Sequence, residues 1–304
     1  MTYLSTALAL PGLLAHWRLG EAAGATVAED ASPNNRDGAY LNTPTLGATG
    51  LLSGDADKAM QTAANTGQCM SVASAAWMNV TTSLSMACRV RMTSATDTSN
   101  GDAIVSRYSG SFPWMLWRNT SGKFAVQLNA AANVADPTTV VVGQDYSAGF
   151  SYDGANIRLY VDGVQVASTP YTASLVTGSI PLEIGRYSSA ASTTPGMVID
   201  EVSVGNAVWA AADFAALHTA ATTSAAVDIT LALTLPKIRA ALQVKKTVLT
   251  DVSNRLGGWQ FGGYATARVS VPVAADPLGD DEQAFNVEAA KYLPPPTIVN
   301  GEIQ

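Results

Sequence analysis

The sequence predicts an all-β fold, a two-sheet antiparallel sandwich over residues 1–221, followed by a smaller β-rich region with an extended tail over 222–304. Three observations predict it. Apolar and polar side chains alternate with a period of two along many short segments, as they do on half-buried strands. Turn chemistry separates those segments at short intervals, as at Asn100-Gly101, Ser121-Gly122 and Asp153-Gly154. One segment alone in the first 221 residues carries a helical period, and many short strands with a single terminal helix pack as a sandwich.

The first strand is read from Leu13, Ala15, Trp17 and Leu19 on one face, with His16, Arg18 and Gly20 on the other. Leu84, Met86, Cys88, Val90 and Met92 alternate with Ser85, Ala87, Arg89 and Arg91 in a second, longer strand. Further strands are expected at 102–107, 112–118, 123–129, 138–142, 146–152, 181–185 and 197–204. Ile157, Leu159 and Val161 lead into Asp162-Gly163 and Val164. An Asp-Gly pair between alternating apolar residues marks a two-residue hairpin, because both central positions of a type I′ turn need positive φ. Residues 210–220 read as the helix, with Phe214, Leu217 and Ala221 on one face.

The texture changes near residue 222, where ATTSAA forms a small-residue linker. Val227, Ile229, Leu231, Leu233 and Leu235 then alternate with polar or small neighbours, and a second strand is expected over 238–250 through Ala240, Leu242 and Val244. An aromatic and glycine-rich stretch (258–273), an acidic loop (275–283) and the tail YLPPPTIVNGEIQ complete the chain. Two or three strands cannot cover their own faces and edges, so this region is expected to bind a second protein or copies of itself. The triple proline favours an extended segment, either a loose end or an arm docked on a partner.

Composition narrows the partners. A formal charge of −7, with Lys245-Lys246 as the longest basic run, leaves nothing to neutralise a row of nucleic-acid phosphates or an anionic membrane. No window approaches the ~18 consecutive apolar residues of a membrane span. The apolar start MTYLSTALALPGLLAHW lacks a basic leader and is broken at Pro11-Gly12, which argues against a signal peptide. Cys69 and Cys88 are too few for a disulfide framework or a zinc site. Cys88 lies on the apolar parity of its strand, so a buried free thiol stands against a bridge, and the composition suits assembly in a reducing cytoplasm.

Four stretches carry a resemblance to a known family: HWRLGEAAGATVAEDAS with NNRDGAY, LSMACRVRM, YDGANIRLYVDGVQVAS, and LEIGR followed by GMVIDEVSVGNAVWAAADFAALH. Together they resemble the laminin-G-like, concanavalin A-like lectin jelly rolls. One departure is clear, since the family usually has Trp-His before its Y-D-G strand and this chain has Gln144-Asp145-Tyr146. The resemblance implies carbohydrate binding and a structural calcium. Carried over to this sequence, Asp30 and Asp200 are the metal candidates, with backbone carbonyls and Asn34 or Asn35 completing the six to eight oxygens that calcium takes. The alternative is that Asp30 closes an Asx turn and Asp200 pairs with a basic neighbour or sits exposed.

Glucan hydrolases of this fold carry E-x-D-x-E on one strand, which places the carboxylates on one face. Here VIDEVSV sets Asp200 beside Glu201, so strand parity sends them to opposite faces, and the next acidic residue is Asp213. His16 and His218 have no metal or triad spacing, and Gly-rich GGWQFGG (257–263) opens no helix. The reading is therefore non-enzymatic. Sugars stack on exposed aromatics, and the candidates are Tyr108, Trp114, Trp117 and Tyr187, with Trp77 near a loop. Trp114 and Trp117 have opposite parity, so at least one is expected to leave the core; the alternative is that a sandwich of this size buries its tryptophans, as it does Trp209.

A second resemblance lies in ITLALTLPKIRAALQV, similar to degenerate Leu-Pro-x-x-x-Ala-Ala-Leu units in tail proteins of phages that infect actinobacteria. It implies a virion structural protein, a minor tail or capsid-decoration component assembled in the host cytoplasm. On that reading residues 225–304 contact other virion proteins in a homo-oligomer while the sandwich touches a surface glycan. The other readings are a bacterial secreted or surface carbohydrate-binding module and, third, a glycan hydrolase.

Overall fold

Two eight-stranded antiparallel sheets face each other in a computed structural model, which describes residues 2–223 apart from 98, 110 and 188–194, together with 298–299 and 302–303. The first sheet runs β14 (Val164–Pro170), β13 (Asn156–Val161), β12 (Asp145–Tyr152), β7 (Leu84–Met92), β16 (Met197–Gly205), β5 (Lys58–Thr62) and β4 (Thr45–Thr49), with β1 (Leu13–Trp17) also beside β16. The second runs β11 (Ala132–Ala135), β10 (Phe124–Leu128), β9 (Ser111–Arg118), β8 (Asp102–Ser109), β15 (Leu182–Ile184), β6 (Cys69–Val72), β3 (Gly38–Leu41) and β2 (Val27–Ala28). This is the predicted sandwich. Its core lies between the sheets, where Met86, Val90, Phe150, Leu159 and Ile199 meet Ile104, Trp114, Leu116, Val126 and Ile184.

The predicted hairpin joins β13 to β14, with Asp162 at φ 49° and Gly163 at φ 79°, both positive as a type I′ turn requires. The predicted helix is α2 (Ala211–Thr222). A second helix, α1 (Tyr3–Leu8), was not expected, because six residues are too short for a readable period. Both helices lie on the outer face of the first sheet. Tyr3, Ala7, Trp209, Phe214 and Leu217 there form a second cluster with Ala87 and Tyr160. All nine residues of β16 are buried although its sequence alternates, since on its outer face Val198 packs with Leu51 and Ala59 and Gly205 lies against Trp209.

Residues 138–142 do not form a strand. Val140 bonds its N–H to the Gly122 carbonyl and Val141 to the Tyr146 hydroxyl, so the segment is a loop plugged by Val140, and the strand paired with β10 is 132–135 instead. Tyr146 is buried at the start of β12. It packs edge-on against Phe124 at 5.2 Å and so links the two sheets. Cys69 and Cys88 are free, buried, and on different sheets.

The chain divides into units at 1–225 and 226–304. In the second unit the hairpin of β17 (Ile298–Val299) and β18 (Glu302–Ile303) is described. The strands expected at 227–235, 238–250 and 258–273, the acidic loop 275–283 and the triple proline lie outside the described residues.

Candidate functional site

β16 changes neighbours halfway along. Met197–Ile199 pair with β5 and Val202–Gly205 pair with β1, while β7 runs along the opposite edge. At the handover the register with β7 slips between Asp200 and Ser203, and Glu201 takes a left-handed φ of 54°. A side-chain-bearing residue there carries strain of about 1–3 kcal/mol, so the surroundings must hold it. The bulge undoes the parity argument. Asp200 and Glu201 do not face apart; their carboxylates, with that of Asp57 at the start of β5, place one oxygen each within 4.8 Å of one another. Asp200 and Glu201 are fully buried.

Arg18, just past the end of β1, enters this cluster. Its Nε–H donates to Glu201 Oε1 at 2.8 Å, and Asp57 Oδ2 lies 2.9 Å from the same nitrogen without an aligned hydrogen bond, because the single N–H is already used. Its Nη2 donates to Asp55 Oδ2 at 2.9 Å. Asp200 Oδ2 accepts from the Leu51 N–H at 2.9 Å, while Oδ1 is buried without a hydrogen-bond partner. Burial, reinforced by the neighbouring Glu201 charge, pushes the Asp200 carboxyl well above the usual range, and burial raises Asp57 as well. Burial opposes ionisation of Asp55 too, but the Asp57 N–H and Arg18 outweigh it and Asp55 falls below its usual range. The backbone leaves no spare room, since a Cβ on Gly20 would stand 2.2 Å from Asp57 Oδ1 and one on Gly50 2.4 Å from the Asp57 carbonyl.

His16 joins Ser203 to Glu201. Its Nδ1 lies 2.8 Å from Ser203 Oγ and its Nε2 2.9 Å from Glu201 Oε2, though neither Nε2 nor Oε2 has an aligned hydrogen bond. The Ser–His–acid order is that of a hydrolase triad with the ring nitrogens exchanged, since there the serine meets Nε2 and the acid Nδ1. All three side chains are fully buried and Tyr3 packs on the imidazole at 6.4 Å, so no substrate carbonyl reaches the serine. A second group, Ser147, His218 and Asp162, is more exposed. Ser147 Oγ and Asp162 Oδ1 contact the same nitrogen, Nδ1, at 3.0 and 3.6 Å, so the ring cannot relay a proton between them. No spacing in the sequence foretells either group, because the first is built by the pairing of strands far apart in the chain and the second by the seating of α2 on the sheet.

The two metal candidates are not in one shell. Asp30 Oδ1 accepts the N–H groups of His16 and Ser32, and Oδ2 accepts the Ser32 hydroxyl and the Arg36 N–H, all at 2.9 Å. A carboxylate has about four lone-pair sites, so Asp30 has none left for calcium. It is a turn hub, and it is outside the Asp57–Asp200–Glu201 group. Asn34 donates its Nδ2–H groups to the Leu13 and Leu14 carbonyls. Around Asp200 the oxygens are close enough for a cation, but the arginine holds that place; the donor set as it stands does not fit calcium.

Of the aromatic candidates, Trp114 is in the core, tilted against Phe150 at 5.8 Å, and offers no face to a sugar. Trp117 has the opposite parity and lies half-buried on the outer face of the second sheet, between Ala103 and Ala125 and against Gly101. Gln127 shares that face and is half-buried, and its strand partner Asn133 is exposed. Met115 and Ser106 on the same face are covered. Tyr187 follows β15 and is half-buried; the backbone of Tyr108 belongs to β8. Trp77 is structural, with the Arg36 guanidinium 4.3 Å over its ring. A depression beside Tyr3, Ser147, Tyr160 and Phe214 has room of about 10 Å³, enough for a water and not for a sugar.

Residues 64–213 match the family described as the concanavalin A-like lectin/glucanases superfamily (Laminin_G_3). No curated protein matches the chain in sequence. Among solved structures it resembles the binding domain of Paraclostridial Mosquitocidal Protein 1, at 10% identity over 68% of this chain and 52% of that one, with a TM-score of 0.54. The binding domain of Botulinum Neurotoxin DC in complex with SialylT is similar at 10% identity over 70% and 52%, TM-score 0.54. Trypanosoma rangeli sialidase in complex with sialic acid is similar at 14% identity over 71% and 36%, TM-score 0.52. The chain thus spans 52% of the toxin domains and 36% of that sialidase, and at these identities the likeness is one of fold.

Proposed function

We propose, from the premise that residues 64–213 form a domain of the concanavalin A-like lectin/glucanases superfamily, that the protein is a non-catalytic glycan-contacting component of a virion, a minor tail or capsid-decoration protein. The observation that carries the binding reading is the outer face of the second sheet, where Trp117 stands with Gln127 and Asn133. An aromatic surface with amide groups beside it is the chemistry that holds a pyranose ring. Of the buried carboxylates, Glu201 by contrast is held by Arg18 with His16 beside it, and Glu183 is held by Arg186. That commitment supports binding over turnover. A neighbour in fold was solved with SialylT, which makes sialylated glycans the first to try. The Leu-Pro-x-x-x-Ala-Ala-Leu-like segment within 229–244 and the length of chain beyond the sandwich support the virion setting.

The test is a glycan array with the full chain, repeated with Trp117→Ala. Binding should weaken about tenfold, roughly 1.4 kcal/mol, with the near-ultraviolet dichroism of the folded protein kept. Undiminished binding would move the site off this face, and hydrolysis of a bound glycan would replace the proposal with an enzymatic one.

A further inference from the structure

We infer that Arg18 is the resident cation of the Asp57–Asp200–Glu201 centre, so that this domain needs no metal there and loss of Arg18 uncovers a latent site for a hard divalent cation. The geometry supports this in three ways. Three carboxylates contribute oxygens within 4.8 Å of one another, the kind of convergence that calcium sites show. The Arg18 Nε stands 2.8 Å from Glu201 and 2.9 Å from Asp57, and Nη2 of the same guanidinium reaches Asp55 at 2.9 Å. Asp200 Oδ1, fully buried within the group, has no hydrogen-bond donor and is a ready ligand.

Other basic side chains do not serve the centre equally. His16 approaches only the far oxygen of Glu201. Arg89, although its residue is paired with Asp200 across the strands, donates to the Leu51 carbonyl and Ser147. Arg18 alone among the described residues touches three of the four carboxylates at 55, 57, 200 and 201. A guanidinium is always charged and gives directed N–H bonds, so it stitches the end of β1 to the start of β5 across the bulge, where a metal would use oxygens from the same segments.

The experiment compares melting of the full chain in chelator and in millimolar calcium for the wild type, Asp200→Asn, Arg18→Ser, Arg18→Lys, and Arg18→Ser with Asp200→Asn. Wild type and Arg18→Lys should melt alike in both conditions. Arg18→Ser should melt lower in chelator and recover several degrees in calcium, with one calcium bound per chain by calorimetry, and Asp200→Asn should remove both effects. The inference is overturned if calcium raises the wild-type melt and Asp200→Asn abolishes that rise. It is also overturned if Arg18→Ser melts identically in both conditions, fails to fold in either, or keeps its calcium response without Asp200.

Discussion

Buried arginines do much of the local fastening in this sandwich, and each donates to backbone carbonyls of loops that lack a ladder of their own. Arg107 reaches the carbonyls of Met78, Gly178 and Ile180, and burial lowers it to about 10. Arg118 bonds Asp102 and the carbonyls of Ser94 and Ala95, and Arg186 bonds Glu183 and the Gly67 carbonyl. A planar fork of donors suits this, since several acceptors are satisfied from one side chain. The two thiols are at the other extreme, with no charge to share. Burial pushes both Cys69 and Cys88 up to about 12. Neither should react with a thiol reagent in the native protein at pH 8, and both should react in denaturant; fast labelling of the folded chain would contradict the burial. The raised values also give a pH dependence. An unfolded thiol ionises near pH ~9 whereas the folded one keeps its proton to about 12, so this contribution is full below pH ~9 and is lost as pH rises toward 12. The urea midpoint should fall across that window, and Cys69→Ala with Cys88→Ala should flatten the fall.

At the scale of elements, the outer face of the first sheet depends on how closely α2 approaches β12. Gly149 makes the approach possible: a Cβ there would stand 2.5 Å from the Met86 carbonyl and 2.8 Å from the Phe214 ring. Phe214 in turn stacks on Tyr160 at 4.0 Å and leans on Trp209 at 6.0 Å, so displacing α2 loosens a whole aromatic cluster. Gly149→Ala should cost about 1–3 kcal/mol in urea unfolding, as overpacking does, although the glycine has no left-handed φ to protect. A neutral substitution would mean that α2 yields freely and that its packing contributes little. The bulge in β16 works the same way. It is held by Arg18 on one side of Glu201 and His16 on the other, which is how a strained residue persists in the middle of a buried strand.

For the whole molecule, the unit of residues 1–225 has its own core and its last helix is tied in, with Ala221 buried and its carbonyl bonded to the Ser53 N–H. Limited proteolysis should therefore cut within 220–228 and leave a folded sandwich. Residues 1–225 expressed alone should unfold as cooperatively as the full chain; an insoluble product would mean that the two units share a core. On the virion reading, the same shortened chain should be a monomer that no longer co-purifies with particles. Continued assembly would transfer the anchoring role to the sandwich.

The alternation at 84–92 and 146–152, the Asp162-Gly163 turn and the closing helix were legible in the sequence because each depends on neighbours a few residues apart, where a period or a turn preference is visible. The short strands between 27 and 72 were not, since two to five residues show no period. Nor was α1, or the burial of both faces of β16, whose outer residues pack on segments far away in the chain. The sequence named Asp200 and Glu201 but not their meeting. Strand parity holds only while a ladder is unbroken, and this ladder breaks at Glu201, where β5 gives way to β1. Only that exchange of partners brings residues 18, 57 and 200 together, because a register between strands so far apart in the chain is chosen by the packing of the whole core and by no local pattern.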